Sequence, residues 1–115
     1  MYNALKAALE ATGIPLAEGD WDRAPQSGNY LILRLEDEAS AVWGDQHKQL
    51  QAFQGSVHLY ARSSDRTDFN AVQRVLDQQE VSWRFNGTQY EPRNGLVHYE
   101  WLFELEQLNT PEVIV

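Results

Sequence analysis

The sequence contains no cysteine, which excludes a disulfide framework and a thiolate zinc site. It also lacks any apolar run approaching the roughly 20 residues that a membrane-spanning helix needs. Its N-terminus carries one lysine, Lys6, beside a short Ala/Leu stretch, without the charged start and long apolar centre of a signal peptide. We therefore expect a protein without membrane contact that stays in the cytosol where it is made.

Positive charge is scarce as well. Nine Lys and Arg residues face 17 Asp and Glu residues, which gives a formal net charge of −8. A chain of this charge repels a phosphate backbone, so nucleic-acid binding driven by counterion release is disfavoured. Solubility is the ordinary explanation of such a charge. Two more specific interpretations are an acidic channel lining and a protein that mimics DNA.

The 115 residues, 43% of them hydrophobic, suit one globular domain. No internal repeat, low-complexity run or linker divides them. We assign residues 1–106 to a single domain and residues 107–115 to a C-terminal tail.

Two segments have the spacing of amphipathic helices. In the first, Tyr2 to Thr12, apolar residues recur three or four positions apart until Gly13, a residue typical of helix ends. The second has Thr67 or Asp68 as its N-cap and ends near Gln79.

Alternating apolar and polar residues predict strands around and between these helices. The predicted strands are Ile14 to Ala17, Tyr30 to Glu36, Ala39 to Trp43, Lys48 to Ala61, Val81 to Asn86, Thr88 to Arg93 and Leu96 to Leu105. Gly44-Asp45, Asn86-Gly87 and Asn94-Gly95 are predicted turns, and Asn-Gly is a strong hairpin signal. Gly55 interrupts a strand, which indicates a bulge or close packing. We predict an α+β fold with two helices on one face of a mainly antiparallel sheet that includes a long β-hairpin.

The last predicted strand has two distinct faces. One consists of large apolar residues, which predicts that it supplies much of the core. The other is polar apart from Leu102. The apolar face carries Val97, Tyr99, Trp101, Phe103 and Leu105, and the polar face carries His98, Glu100, Glu104 and Glu106.

Residues with chemical reactivity do not form a recognisable motif. The three histidines, His47, His58 and His98, lack the spacing of metal ligands. His58 and His98 lie on polar strand faces and could meet near Glu100, but solvated histidines are the more common outcome. No nucleophile elbow and no phosphate-binding glycine motif is present. We therefore predict no catalytic, cofactor-binding or metal-binding residue and no cofactor.

Four segments together resemble a known family. They are MYNALKAALEATGIPLAEGDW, NYLILRL, QGSVHLYARSSDRTDFNAVQRVLD and WRFNGTQYEPRNGLVHYEWLFELE. In this order they resemble the tail-terminator or tail-completion proteins of long-tailed phages and prophages, also called head–tail joining or minor capsid proteins. The resemblance spans residues 1–106.

The resemblance implies a non-enzymatic structural protein that forms a ring, usually a hexamer. Such a ring caps the tail tube, joins it to the head-completion or connector protein, and lets DNA pass without specific binding. The implied location is the virion, reached from the host cytoplasm during assembly. We expect subunit or tail-tube contacts at two places, the hairpin around residues 37–51 and the polar face of the last strand. The candidate residues are Trp43, Asp45, His47, Lys48, His98, Glu100, Leu102 and Glu104.

Two other functions stay open. The first is a small-ligand enzyme or binding module on a ferredoxin-like sheet, centred on His58, His98 and Glu100, which predicts a closed apolar pocket with shifted pKa values. The second is an acidic inhibitor that mimics DNA, which predicts carboxylates in two rows at phosphate-like spacing.

Overall fold

The computed structural model describes residues 2–19, 28–44, 47–62, 66–79, 81–91 and 95–108. For residues 37–44, 47–51 and 106–108 the description is limited to the backbone. Two helices and a five-stranded sheet make up the described part, which confirms the predicted α+β class. The elements are α1 (Tyr2–Glu10), β1 (Leu16–Glu18), β2 (Tyr30–Gly44), β3 (His47–Ala61), α2 (Thr67–Gln78), β4 (Ser82–Glu91) and β5 (Leu96–Leu108).

The sheet has the strand order β1-β2-β3-β5-β4. β1 pairs with β2 in parallel, and the three other neighbouring pairs are antiparallel. Apolar residues of both helices and of β2, β3 and β5 form one buried cluster. No described helix is long and apolar enough to cross a membrane.

The first helix is confirmed as an amphipathic helix. Leu5 and Leu9, one turn apart, are fully buried. Thr12 closes the C-terminal turn, because its hydroxyl donates to the Leu9 carbonyl oxygen (2.6 Å). Gly13 follows with a φ of +84°, the left-handed conformation that ends many helices.

The second helix is confirmed as well, but its predicted cap is wrong. Arg66 occupies the N-cap position without a side-chain capping bond, so Thr67 and Asp68 lie inside the first turn. Asp68 accepts a hydrogen bond from Asn29 Nδ2 instead (2.8 Å). Asn29 Oδ1 in turn accepts from the Arg62 backbone N–H (2.9 Å). The Asp68 carboxylate therefore connects the start of α2, through Asn29, to the residue that follows β3, and it is not the predicted N-cap of the helix.

The predicted strands Tyr30 to Glu36 and Ala39 to Trp43 form one continuous strand, β2. Register shifts between Leu35 and Asp37 and between Glu38 and Ser40 break the pairing with β3 without ending the strand. Such bulges insert unpaired residues into a strand. The backbone pairing is therefore irregular over the same residues where the sequence pattern looks like two strands. The long β2–β3 hairpin itself is confirmed by the backbone pairing.

The predicted hairpin turn at Asn86-Gly87 is wrong. These residues lie inside β4, at a register shift against β5 between Phe85 and Gly87. Gly87 has a φ of +146°, so a bulge uses the same conformational freedom of glycine that a type I′ turn would need. The chain reverses further on, where β4 pairs with β5 and the Gly95 N–H donates to the Glu91 carbonyl oxygen (3.0 Å).

The apolar face of β5 is at the centre of the core, as predicted. Trp101 is fully buried, and its indole N–H donates to Gln73 Oε1 on α2 (3.2 Å). Phe69 of α2 packs against Tyr99 and Trp101 with ring centroids 4.8 and 5.1 Å apart. Burial of each large side chain contributes about 1.5–3 kcal/mol. β5 continues through Leu108, two residues past the position assigned as the end of the domain.

Gly55 marks a place of close packing, one of the two alternatives that its position within a strand predicts. A Cβ atom at this residue would overlap the Arg34 carbonyl oxygen and the Phe103 ring. The Phe103 ring thus lies directly over the β3 backbone because no side chain stands between them.

We predict that Gly55→Ala destabilises the protein by about 2–3 kcal/mol, because the backbone oxygen of Arg34 cannot move aside without disturbing the β2–β3 pairing. The free energy of unfolding in urea measures this. Gln54→Ala, at the exposed neighbouring position, should change it by less than about 0.5 kcal/mol. Equal effects of the two substitutions would contradict the close-packing explanation.

Candidate functional site

The sheet surface opposite the apolar row of β5 is the candidate site, and we call it the polar face. Alternation within each strand places its members on one side, in rows set by the pairing of β2, β3 and β5. Its central members are Tyr30, Ile32, Arg34, Ser56, His58, Tyr60, His98, Glu100, Leu102 and Glu104.

The two histidines meet at the centre of the polar face, as their strand positions suggest. His58 pairs across the strands with Glu100, and Tyr60 pairs with His98, so the two imidazoles are diagonal neighbours. His58 Nδ1 and His98 Nε2 are 2.7 Å apart, which is a short hydrogen bond. His58 is only 8% exposed, so the expectation of solvated histidines is wrong.

Hydrogen-bonding groups surround the pair. Ser56 Oγ, fully buried, lies 2.9 Å from His58 Nε2 and 3.4 Å from Glu36 Oε1. Glu100 Oε2 lies 3.6 Å from His58 Nε2, while its other oxygen accepts from Asn86 Nδ2 at 2.8 Å. Every buried side-chain nitrogen and oxygen of the described residues has a hydrogen-bond partner, so burial of these polar groups is compensated.

Aromatic rings pack against the histidine pair on the side of His98. Tyr60 stacks on His98 with centroids 4.3 Å apart and on Tyr30 with centroids 4.8 Å apart, each with an interplanar angle of 12°. Tyr30 and Ile32 are each 7% exposed. The stack packs apolar ring faces against the imidazole, and this packing removes water from His98.

Both histidines have lowered pKa values. Burial, followed by the positive charge of a protonated His98, lowers the pKa of His58 to about 4 from the ordinary 6.5. Burial also lowers the pKa of His98, while the nearby Glu91 and Glu100 carboxylates oppose that change. Both imidazoles are therefore neutral at neutral pH, which suits a pair joined by one hydrogen bond.

The described residues contain no group of three or more His, Asp or Glu side chains arranged to hold a metal ion. The facing nitrogens of His58 and His98 bond to each other rather than pointing at a shared position.

Part of the polar face forms a groove of about 390 Å³ along β3, β4 and β5. Leu102, Arg84, Glu36, Gln54 and Glu104 are among its lining residues. The groove lies beside the histidine pair and has a mixed polar and apolar lining. This is not the closed apolar pocket around His58, His98 and Glu100 that the small-ligand hypothesis predicts.

The structure separates the candidate contact residues into two groups. His98, Glu100, Leu102 and Glu104 share the polar face on β5; Leu102 is half-buried and Glu104 is exposed. In the other group, Trp43 of β2 pairs with Lys48 of β3 at the far end of the hairpin, next to His47. Asp45 lies outside the described residues. Roughly 40 Å of strand separates Lys48 from Tyr60, which pairs with His98, so the two groups do not form one site.

Several members of the cluster were not candidates in the sequence. The register of four strands brings Ser56, Tyr60 and Glu91 next to the histidines. It also brings Glu36 next to Ser56. The available signal was the position of Ser56 and Tyr60 two residues on either side of His58, which places all three on one strand face.

Comparison with known proteins adds a likeness in fold. No protein-family model matches the sequence, and no curated protein matches it as a relative. Among solved structures, the chain is similar to a chain in the structure described as "Virion of native gene transfer agent (GTA) particle", with a TM-score of 0.56 and 14% sequence identity. The likeness covers 90% of this chain and 87% of that chain. Nearly the whole fold is therefore shared.

We predict that the free energy of unfolding decreases as the pH falls from about 6.5 toward 4. In this range the unfolded chain binds protons at its histidines, whereas folded His58, with a pKa of about 4, does not. The loss attributable to His58 is about 2–3 kcal/mol. Urea unfolding at a series of pH values measures it.

Carboxylates titrate in part of the same range, so the comparison is between variants. His58→Gln should remove this part of the pH dependence, whereas His47→Gln should retain the wild-type slope. A wild-type slope in His58→Gln would show that His58 is not the group responsible.

Proposed function

We propose that this chain is a structural protein of a phage-like virion, acting at the head–tail interface as a ring-forming tail terminator or completion protein. The observation that supports this most directly is the fold likeness to a chain of a gene transfer agent virion across 90% of the molecule. The sequence resemblance to tail-terminator proteins over residues 1–106 points to the same class independently of the structure.

The side chains of the polar face are arranged in a way that suits a protein whose function is to bind other proteins. Its polar face is built from packed, mutually hydrogen-bonded side chains around a groove, with a half-buried Leu102 within that groove. A partly exposed leucine in a groove with charged lining residues becomes favourable when a neighbouring subunit covers it. We propose this face and the far end of the β2–β3 hairpin, about Trp43 and Lys48, as the two contact regions. Because they lie far apart, one subunit can contact two neighbours, as a closed ring requires.

The proposed partners are further copies of this chain, the tail-tube protein and the head-completion or connector protein. We propose that the chain is not an enzyme and needs no cofactor. The small-ligand hypothesis keeps one supporting observation, the pair of histidines with lowered pKa values, but both imidazoles are engaged with each other and with Ser56. The described carboxylates occur on both helices and on the polar face, for example Glu10, Asp77 and Glu104.

A ring makes a direct prediction about mass. The chain has a mass of 13.2 kDa, and we expect a species of about six times that mass at high protein concentration or on addition of the tail-tube protein. Light scattering coupled to size-exclusion chromatography measures the mass, and electron microscopy of the same fraction shows whether it is a ring. A strict monomer under both conditions would rule the proposal out.

Leu102→Asp tests which surface forms the ring. It should prevent assembly, because contact with a neighbouring subunit would bury a carboxylate without a partner. The circular dichroism and the urea unfolding midpoint should stay close to those of the wild type, because Leu102 of the single subunit lines an open groove. Leu35→Asp is the matched control, since Leu35 is a leucine of the same sheet that is 41% exposed but lies on β2 opposite Gly55 rather than in the polar face. It should assemble normally. Assembly of Leu102→Asp would exclude the polar face as the contact.

The net charge of −8 generates a further expectation for a ring through which DNA passes. Duplex DNA should bind no more tightly than the weakest non-specific complexes, with a Kd above about 10⁻⁴ M at physiological salt. Fluorescence anisotropy of a labelled duplex, titrated with the protein under ring-forming conditions, measures this. A salt-dependent complex of micromolar affinity would contradict passage without binding.

A further inference from the structure

A chain of polar groups runs through the centre of the polar face and crosses four strands. Glu36 Oε1 lies 3.4 Å from Ser56 Oγ, and Ser56 Oγ lies 2.9 Å from His58 Nε2. His58 Nδ1 lies 2.7 Å from His98 Nε2, and His98 Nδ1 lies 4.0 Å from Glu91 Oε1. This row of polar groups thus has two histidines in the middle and a carboxylate at each end.

The hydrogen atoms of this row of polar groups can be arranged in two consistent ways. A neutral imidazole carries one N–H and one bare nitrogen, so a single hydrogen lies between the two rings. In one arrangement Ser56 donates to His58, His58 donates to His98, and the Nδ1–H of His98 points toward Glu91. In the other, His98 donates to His58, His58 donates to Ser56, and Ser56 donates to Glu36. Each arrangement satisfies the two facing ring nitrogens and Ser56, and each directs its last hydrogen toward a carboxylate.

We propose that His58 and His98 form a single-proton switch: the folded protein takes up one proton on the pair with the cluster intact, and a second proton breaks it. When one proton is added, His98 carries both N–H groups. It donates from Nε2 to His58 Nδ1 and directs Nδ1–H toward Glu91. His58 keeps its hydrogen on Nε2, directed toward Ser56 and Glu100. No hydrogen bond is lost.

A second proton on the pair cannot be accommodated without loss of the hydrogen bond between the two rings. It would place hydrogens on both His58 Nδ1 and His98 Nε2, which are 2.7 Å apart, and would add a second positive charge beside the first. The rings must then separate. Because Tyr60 stacks on His98 and Tyr30 on Tyr60, separation of the rings disturbs the whole stack.

The charged groups around the pair set the order of the two steps. Glu91 of β4 and Glu100 of β5 favour a positive charge on His98, while Arg34 of β2 opposes it. Tyr60 of β3, whose pKa burial raises, remains uncharged, and Glu36 of β2 lies on the far side of Ser56. Glu100 and Arg34 act on His58 in the same two directions, but His58 is the more deeply buried of the two rings and, among the described residues, has no second carboxylate such as Glu91, so His98 is the site of the first proton. Its charge then adds to burial in lowering the pKa of His58.

The test is a pH titration of the ¹⁵N-labelled full chain by long-range ¹H–¹⁵N correlation NMR, which reports the protonation of each ring nitrogen. We expect His98 and His58 to titrate in two steps separated by more than about one pH unit. The Tyr60 ring resonances should keep their positions through the first step and change at the second. Overlapping, independent titration of the two histidines, or a change of Tyr60 at the first step, would overturn the proposal.

His98→Gln provides the second measurement. A glutamine side chain can still hydrogen-bond to His58 but never carries a charge, so His58 should gain at least tenfold in proton affinity and titrate in one step. His47→Gln, which removes the histidine outside the pair, assigns the spectrum and should leave both steps unchanged. If His98→Gln leaves the His58 titration where it is in the wild type, the two histidines are not coupled and the switch does not exist.

Discussion

Burial of Trp101 beneath α2 is the interaction around which the rest of the molecule is arranged. Its ring fills the centre of the core, its indole N–H is satisfied by Gln73, and Phe69 packs against it from the helix. β5 carries this residue between β3 and β4, so the central strands are held in register on both sides of it. Side chains alternate along a strand, and the requirement that this row face the helices therefore fixes which residues of β5 face away.

The polar face is a consequence of that constraint. Because Tyr99, Trp101 and Phe103 must point inward, His98, Glu100 and Leu102 must point outward, and the antiparallel register brings His58 and Ser56 beside them. A shift of β5 by one residue would destroy the core and the histidine pair together. The cluster is thus held in place by core packing several ångströms away, which gives it a defined geometry despite the lack of a covering helix in the described part of the chain.

Prediction from the sequence succeeded where the side-chain period was long and unbroken. The two-faced pattern of β5 and the apolar stripes of both helices were predicted in this way. The interruption of a strand pattern at Gly55 indicated either a bulge or the close packing that is found there. Prediction failed where one short sequence pattern is compatible with two different structures. Asn86-Gly87 suits a turn and a bulge equally, and only the pairing with β5 selects the bulge. The state of His58 and His98 was likewise beyond prediction, because their burial arises from residues on other strands.

The histidine pair has a further meaning if the polar face is a contact surface. A charged group buried at a protein interface costs several kcal/mol unless it is paired, whereas a neutral group with satisfied hydrogen bonds does not. Lowered histidine pKa values keep the middle of this face uncharged at neutral pH, while Glu104 and Glu36 at its margin remain available to solvent or a partner. The centre of an interface between proteins is depleted of charged residues and its rim is polar, and the distribution of charge on this face is of that kind. The lowered pKa values of the two imidazoles thus remove a charge that would oppose the contact proposed for this face.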